Sequence, residues 1–304
     1  MGGGSSIPQP GTSSETSPTA ITRWEPAVFL ADPESSAVPK CPSRSTLALL
    51  ILNQEITHRR RILTIWRNSH IRVCADGGAN RLYNIFGNDT IRAQFLPDCI
   101  IGDLDSLLPH VRTYYASQNV PIIRDPSQDS TDFGKALNWI DSHHDRRNMT
   151  IIAWGGFGGR VDQSFHSIHA LYYDRYTSNP AEKAPPKPLS ESAPSRRIYI
   201  LSSLNVTFLL YPGMNTISTP HDVFWKTCGI IPCGEPAKIT TSGLEWNLDN
   251  ADTSFGGMVS TSNHLKEEVI KISTDKDIVF TVEIRGGEKE DEDLVSVNED
   301  RVAM

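Results

Sequence analysis

Four short patches of aspartate and glycine lie between Asp76 and Gln163. They read Asp-Gly-Gly at 76–78, Gly-Asp-Leu-Asp at 102–105, Gln-Asp-Ser-Thr-Asp at 128–132 and Gly-Gly-Phe-Gly-Gly-Arg-Val-Asp-Gln at 155–163. Each patch follows an apolar run, directly or through a short turn, which is where a parallel α/β sheet presents its ligand-binding edge. Glycine lets a backbone approach phosphate closely, and clustered aspartates bind hard cations such as Mg²⁺. The pattern predicts nucleotide chemistry.

The aspartates form two closely spaced pairs. Asp103 and Asp105 lie two apart beyond a strand, so in extended geometry their side chains point the same way. Asp129 and Asp132 lie three apart at a predicted helix start and so share a face. Either pair alone fits capping or a polar turn, whereas both pairs together with Asp76 favour metal–nucleotide binding.

The glycine-rich loop at 155–159 precedes a predicted helix, whose N-terminal amides suit phosphate. It is not a dinucleotide fingerprint, because Val161 stands where the third glycine is required. Lys135 and Arg160 suit phosphate oxygens, although surface salt bridges are the commoner role of such residues. His166 and His169 are expected to be ordinary helix residues, because no further soft metal ligand accompanies them.

Strands and helices alternate over the first half of the chain. Predicted strands occupy 46–53, 71–75, 98–101, 121–124 and 150–154, with helical segments between and after them. This order predicts a parallel sheet with helices on both faces. We therefore predict a disordered tail over 1–23 and an α/β nucleotide- and metal-binding domain over 24–176.

The second half of the chain has a different pattern. Residues 177–197 are rich in proline and serine and predict a linker or insertion. Short apolar runs separated by Gly, Pro, Asn and Asp over 198–287 predict a β-sandwich, and 288–304 form an acidic tail. The indole of Trp246, within small hydroxyl and amide residues, suits a flat cationic heterocycle, although core packing explains a lone tryptophan equally well.

Composition excludes several classes of protein. The 304 residues carry a net charge of −7, which argues against general nucleic-acid binding. No apolar run approaches the roughly 18 residues of a membrane helix, so we expect no membrane span. The five cysteines are odd in number and form no Cys-x-x-Cys pair, which argues against disulfide and zinc frameworks and favours the reducing cytoplasm.

Six motifs in order resemble those of eukaryotic thiamin pyrophosphokinase. They lie at 76–83, 97–106, 128–135, 158–163, 243–248 and 260–263. The resemblance implies transfer of pyrophosphate from ATP to the hydroxyl of thiamin, giving thiamin diphosphate and AMP. It also implies a Rossmann-like three-layer α/β catalytic domain followed by a β-sandwich, in a homodimer whose active site is shared between subunits.

The resemblance assigns roles to residues on both halves of the chain. The predicted Mg²⁺ ligands are Asp103, Asp105 and Asp132, with Asp76 as a further catalytic carboxylate. The predicted contacts to the co-substrate ATP are Gly77, Gln128, Thr131, Lys135 and Arg160. The predicted thiamin contacts are Asp162 and Gln163, joined by Ser242, Trp246 and Asn263 from the partner subunit.

Three alternatives remain at this level. A related nucleotide transferase would share the aspartates but use another alcohol, which the motif around Trp246 and Asn263 argues against. A thiamin-binding or sensing protein without catalysis would not need Asp103, Asp105 and Asp132. An NAD-dependent oxidoreductase is the weakest alternative, because its fingerprint fails.

Overall fold

The computed structural model describes residues 21–31, 46–145, 149–176 and 196–286. The first elements in chain order are β1 (Ile21–Trp24), β2 (Thr46–Ile51), α1 (Arg59–Asn68), β3 (Ile71–Ala75), α2 (Gly78–Asn84), α3 (Asp89–Arg92), β4 (Cys99–Gly102), α4 (Pro109–Ser117), β5 (Ile122–Arg124), α5 (Asp132–His143), β6 (Met149–Trp154) and α6 (Val161–Tyr176). The remaining elements are β7 (Arg197–Leu201), β8 (Asn205–Leu210), β9 (Gly213–Ser218), β10 (Phe224–Ile231), β11 (Ala237–Ser242), β12 (Ala251–Thr253), β13 (Ser260–His264), β14 (Val269–Thr274) and β15 (Ile278–Ile284).

The predicted α/β layer is confirmed. Strands β5, β4, β3, β2, β6 and β7 pair side by side in that order, all parallel. The central strand β2 is buried along nearly its whole length, as a strand covered on both faces must be. Helices α1, α2 and α4 contribute to the core on one face, and α5 and α6 pack on the other. The result is a three-layer arrangement.

The order of the strands creates a crevice beside β2. The chain runs outward from β2 through β3, β4 and β5, then returns to β6 on the opposite side of β2. Loops that leave the carboxyl ends of strands diverge at such a reversal, and ligands of open α/β sheets bind there. Four predicted motifs follow β3, β4, β5 and β6, so the topology collects them at one edge.

The large sheet does not end with the α/β layer. Strand β7 pairs with β6 on one side and with β8 on the other, and β15, β10 and β13 continue the same ten-stranded sheet. The predicted domain boundary at 198 therefore falls inside β7 (Arg197–Leu201). The hydrophobic periodicity of the sequence did not predict this continuity. The change from helices to short strands occurs at β7, and β7 belongs to both halves of the chain.

A second, five-stranded sheet completes the predicted β-sandwich. Its order is β1, β9, β14, β11 and β12. Ile217, Ile270 and Ile272 of this sheet share one core with Phe208 and Phe280 of the large sheet. The alternation of buried and exposed residues along β11 and β14 fits a sheet with one face on the core and one in solvent.

Strand β1 is the main departure from the predicted boundaries. Residues 21–23, predicted as tail, pair in parallel with β9. Trp24 packs against Phe208 and Tyr211 at ring distances of 5.0 and 5.2 Å, and its Nε1 donates to Asn215 Oδ1 at 2.9 Å. The sequence pattern concealed this strand because only one of its four side chains is buried.

Several shorter elements were also not predicted, namely α3, β9 and β12. The predicted linker ends two residues too late, because Arg196 is buried and pairs with Asp141 and Asp174. Residues 1–20, 177–195 and 287–304, which hold most of the predicted tails and linker, lie outside the described residues. No helix within the described ranges combines the length and the apolar character needed to cross a bilayer.

The packing of Trp24 gives the first testable prediction. Trp24→Ala should lower the free energy of unfolding by about 3–5 kcal/mol, because it leaves a cavity and removes the buried hydrogen bond from Trp24 Nε1 to Asn215 Oδ1. Arg23→Ala, at an exposed position of the same strand, is the matched control. Urea unfolding followed by tryptophan fluorescence measures both variants, and equal midpoints for the two would contradict the role given to β1.

Candidate active site

Three carboxylates meet at the carboxyl edge of the parallel strands. Asp76 follows β3, Asp103 follows β4 and Asp132 begins α5, and their oxygens lie within 4.8 Å of one another. Gly102 makes this approach possible, because a Cβ there would lie 2.6 Å from the Asp76 Cβ and 3.0 Å from Asp132 Oδ1. The Gly-Asp order at the end of β4 is therefore a steric requirement of the cluster.

Asp76 is the buried member of the cluster. It is only 2% exposed, and its Oδ2 accepts a hydrogen bond from the Ser106 N–H at 3.1 Å. Within the described ranges its Oδ1 has no hydrogen-bond partner. Burial, reinforced by the negative charges of Asp132, Asp105 and Asp103, raises the pKa of Asp76 to about 6. A hard divalent cation would remove the cost of this arrangement, so the residues fit a metal site.

Lys135 supplies a positive charge beside the cluster. Its buried Nζ lies 3.2 Å from Asp132 Oδ1 and 3.8 Å from Asp103 Oδ2. Lys135 follows Asp132 by one turn of α5, so the helix itself sets this distance. One ammonium group offsets only part of the charge of three carboxylates, which leaves the cluster suited to a further cation.

Asp105 does not join the cluster, although it belongs to the predicted metal set. It is exposed, and its Oδ1 accepts from Ser106 Oγ at 3.0 Å. The extended geometry assumed for Asp103 and Asp105 is not present, because β4 ends at Gly102 and Leu104 adopts a left-handed φ of 66°. The structure groups Asp76, rather than Asp105, with Asp103 and Asp132.

Asp129 and Asp132 do not share a helix face as predicted, because only Asp132 lies in the helix. Helix α5 begins at Asp132, and the side chain of Thr131 caps it by accepting from the Gly134 N–H. Asp129 lies exposed in the preceding turn, with its N–H donating to Ser127 Oγ. The capping residue is therefore Thr131, and Asp132 is a member of the carboxylate cluster.

A cavity of about 950 Å³ opens in front of the carboxylates. Of the predicted site residues, those lining it are Asp103, Asp105, Gln128, Thr131, Asp132, Lys135, Arg160 and Gln163. The glycine-rich loop forms one wall, where Gly155, Gly158 and Gly159 adopt φ values of 83°, 101° and 73°. Such values favour glycine, which explains three of the four glycines between β6 and α6.

Arg160, Asp162 and Gly77 take positions that the sequence did not specify. Arg160 and Asp162 are exposed and pair with each other, with Nη2 2.5 Å from Oδ2. This ion pair lowers the pKa of Asp162. Gly77 does not line the cavity; a Cβ there would lie 2.3 Å from the Asn53 amide nitrogen, so packing explains this glycine.

Asn53 and Gln54 were not predicted as site residues. Both line the cavity, and Gln54 packs over the glycine-rich loop so closely that a Cβ at Gly159 would lie 2.5 Å from its Nε2. Asn53 Oδ1 accepts from Arg81 Nε at 2.8 Å. Their position directly after β2, beside the strand-order reversal, is the signal that would have identified them.

The sandwich residues predicted to contact thiamin do not line this cavity in the described part of the chain. They are Ser242, Trp246 and Asn263. Ser242 and Trp246 are exposed, Trp246 by 55%. Asn263 is only 3% exposed, and its amide both donates to Trp246 O at 2.9 Å and accepts from Trp246 N at 3.2 Å. Asn263 therefore positions the Trp246 loop through the Trp246 backbone, and its contact with thiamin stays a prediction.

Comparison with known proteins gives the same two-part division. Residues 62–181 match the family model "Thiamin pyrophosphokinase, catalytic domain", and 214–279 match "Thiamin pyrophosphokinase, vitamin B1 binding domain". Thiamine pyrophosphokinase 3 of Oryza sativa is 35% identical over 275 residues, covering 85% of this chain and 95% of the relative. Thiamine pyrophosphokinase of Saccharomyces cerevisiae is 34% identical, covering 78% and 85%.

A solved structure supports the same grouping. Thiamin pyrophosphokinase from Candida albicans superposes with a TM-score of 0.71 at 28% sequence identity, covering 88% of this chain and 94% of that one. The similarity thus spans the α/β layer, the carboxylate edge and the sandwich together. This chain belongs to the thiamin pyrophosphokinase family.

Proposed function

We propose that this protein transfers the pyrophosphoryl group of ATP to the hydroxyl of thiamin, giving thiamin diphosphate and AMP. The proposal rests on the cluster of Asp76, Asp103 and Asp132, of which Asp103 and Asp132 line a cavity walled by a glycine-rich loop, in a chain of this family. Three carboxylates and one lysine suit a metal-bound triphosphate better than a neutral ligand.

The carboxylate cluster is the proposed Mg²⁺ site. Asp76, Asp103 and Asp132 would hold the cation, with exposed Asp105 at the cavity wall beside them. Bound Mg²⁺ would offset the charge of the phosphate oxygens and make phosphorus more open to attack. The unpartnered Asp76 Oδ1 supports this assignment more strongly than the spacing of the aspartates does.

The side chains around the cavity would orient the triphosphate. Gln128 and Thr131 offer hydrogen bonds, Lys135 offers a buried charge, and Arg160 lies exposed at the glycine-rich loop. The thiamin oxygen would form a bond to the β-phosphorus and lose its proton to water, while the bond from that phosphorus to the α-phosphate oxygen breaks, releasing AMP. Positioning and charge neutralisation account for most catalysis of phosphoryl transfer, so no general base has to be assigned.

The thiamin pocket is proposed to form between two copies of the chain. Asp162 and Gln163 lie at the start of α6, beside the cavity, while Trp246 and Ser242 lie exposed on the sandwich of the same chain. Large apolar side chains are exposed in both regions, with Phe165 at 62% and Trp246 at 55%. A homodimer would cover both and bring an indole face to the cationic thiazolium ring.

A cytoplasmic location is part of the proposal. The four cysteines that the structure describes, Cys74, Cys99, Cys228 and Cys233, are free thiols. Burial raises the pKa of Cys233 to about 11, which keeps that thiol protonated and unreactive at neutral pH. Free, unreactive thiols fit a reducing compartment.

Product analysis tests the reaction itself. Purified protein incubated with ATP, Mg²⁺ and thiamin should yield thiamin diphosphate and AMP in equal amounts, separated by chromatography. Formation of thiamin monophosphate with ADP would show attack on the other phosphorus. Binding of thiamin without any product would favour a sensing protein instead.

Substitutions at the carboxylates test the metal assignment. Asp132→Asn should lower kcat by about 100-fold or more and raise the Mg²⁺ concentration needed for half-maximal rate, because one ligand charge is lost. The melting temperature should stay close to that of the wild type, because relief of repulsion between carboxylates offsets the loss of the ion pair with Lys135. Asp222→Asn, at an exposed carboxylate outside the cavity, is the control and should behave as wild type.

Asp76→Asn and Asp105→Asn separate the cluster seen in the structure from the set predicted by spacing. We expect the loss of turnover to be much larger for Asp76→Asn, because Asp76 belongs to the cluster and Asp105 is exposed outside it. Steady-state rates at saturating Mg²⁺ measure both variants. A larger loss of turnover for Asp105→Asn would instead support Asp103, Asp105 and Asp132 as the metal ligands.

Subunit mixing tests the shared site. Neither an Asp132→Asn homodimer nor a Trp246→Ala homodimer should turn over efficiently, but each mixed dimer would contain one intact site. Complete random exchange should restore about a quarter of wild-type activity, as two-fold symmetry requires. Mixing Asp132→Asn with Asp103→Asn is the control and should restore none. Mixed dimers that remain inactive with Trp246→Ala would place the whole site within one chain.

A further inference from the structure

A histidine outside the family motifs contacts the cavity wall. His166 Nε2 lies 2.7 Å from Thr131 Oγ1, across a gap of 35 residues in sequence, and so joins α6 to the beginning of α5. Both residues line the cavity, and both are half-buried. The sequence suggested only an ordinary helix residue at this position, so the contact needs its own explanation.

The Thr131 hydroxyl already has one fixed partner. As the cap of α5, its Oγ1 accepts from the Gly134 N–H at 3.4 Å. A threonine hydroxyl has one hydrogen and two acceptor positions. If His166 Nε2–H occupies the second acceptor position, the hydroxyl hydrogen remains to be donated elsewhere, and Thr131 borders the cavity beside Asp132.

The state of the imidazole ring is consistent with that arrangement. Burial, with a smaller contribution from nearby His169, lowers the pKa of His166, so the ring is neutral at neutral pH. A neutral imidazole carries a single N–H, which must be on Nε2 if the ring is the donor to Thr131. The alternative tautomer would take the hydroxyl hydrogen for itself and leave none for a ligand.

We propose that His166 is a positioning residue, which donates Nε2–H to Thr131 Oγ1 and so directs the Thr131 hydroxyl hydrogen to a phosphate oxygen of the bound nucleotide. The inference rests on the proposed function only in that the nucleotide occupies this cavity. An anionic oxygen is the strongest acceptor such a hydroxyl can meet, and this pairing selects the Nε2–H tautomer. His166 thereby acts on the nucleotide through Thr131, without touching it.

Variants at both ends of the contact test the proposal by nucleotide binding. His166→Phe keeps a ring but removes the donor, and His166→Gln keeps an N–H donor. With Mg²⁺ and a nonhydrolysable ATP analogue, calorimetry should show binding about tenfold weaker for His166→Phe, as for loss of a hydrogen bond to a charged group. His166→Gln should regain most of the affinity, and the KM for ATP should change more than the KM for thiamin.

A double-mutant cycle distinguishes orientation of the hydroxyl from simple support of the helix. In a Thr131→Val background, His166→Phe should have no further effect on the dissociation constant, because the hydroxyl that it orients is absent. His110→Phe, at an exposed histidine of α4 outside the cavity, is the control and should bind as wild type. Melting temperatures of all variants show whether the fold is retained.

Three results would overturn the proposal. These are wild-type affinity in His166→Phe, an equal loss in His166→Gln and His166→Phe, or fully additive losses in the double variant. Because binding is measured without turnover, failure of the proposed reaction is recognised separately. A wild-type protein that binds the nucleotide analogue but forms no thiamin diphosphate would refute the reaction and leave the His166 test intact.

Discussion

The repulsion between three carboxylates is the constraint on which the site depends. Asp76, Asp103 and Asp132 would separate in a flexible chain, yet they are held within 4.8 Å. Two of them follow adjacent parallel strands whose hydrogen bonds fix the spacing, and Asp132 begins the helix that packs against those strands. The stability of the buried sheet thus maintains an arrangement that is unfavourable without a cation. That is the form of preorganisation that metal and phosphate chemistry requires.

The continuous ten-stranded sheet gives the same rigidity to the second half of the chain. Because β7 pairs with both β6 and β8, the sandwich is an extension of the catalytic layer rather than a body on a linker. The Trp246 loop is then held from within by the buried Asn263 amide. In the proposed homodimer, the continuous sheet would hold this loop in a fixed position facing the partner's cavity. No hinge motion is required to assemble such a site.

Much of this could be predicted from the sequence, because apolar runs followed by aspartate or glycine mark strand ends directly. Three features of the structure could not be predicted from the pattern of residue types along the sequence. The left-handed Leu104 interrupts the extended geometry that the spacing of Asp103 and Asp105 suggests, and only Asp103 joins the cluster. Strand β1 buries only Trp24, so it carries almost no periodic signal. The continuity through β7 depends on pairing partners, which alternation of residues along one strand does not specify.

Two glycines near the site are required for different reasons, one for the carboxylate cluster and one for packing. Gly102 is required because the Asp76 and Asp132 side chains occupy the space of its Cβ, whereas Gly77, which does not line the cavity, is required by the position of the Asn53 side chain. Both stand beside aspartates and look alike in sequence, yet only Gly102 sets the distance between charged groups. A Cβ at Gly102 would push the carboxylates apart and relieve their repulsion. The gain in electrostatic energy would then come at the expense of the cation site, so stability and the proposed activity make opposite demands on this position.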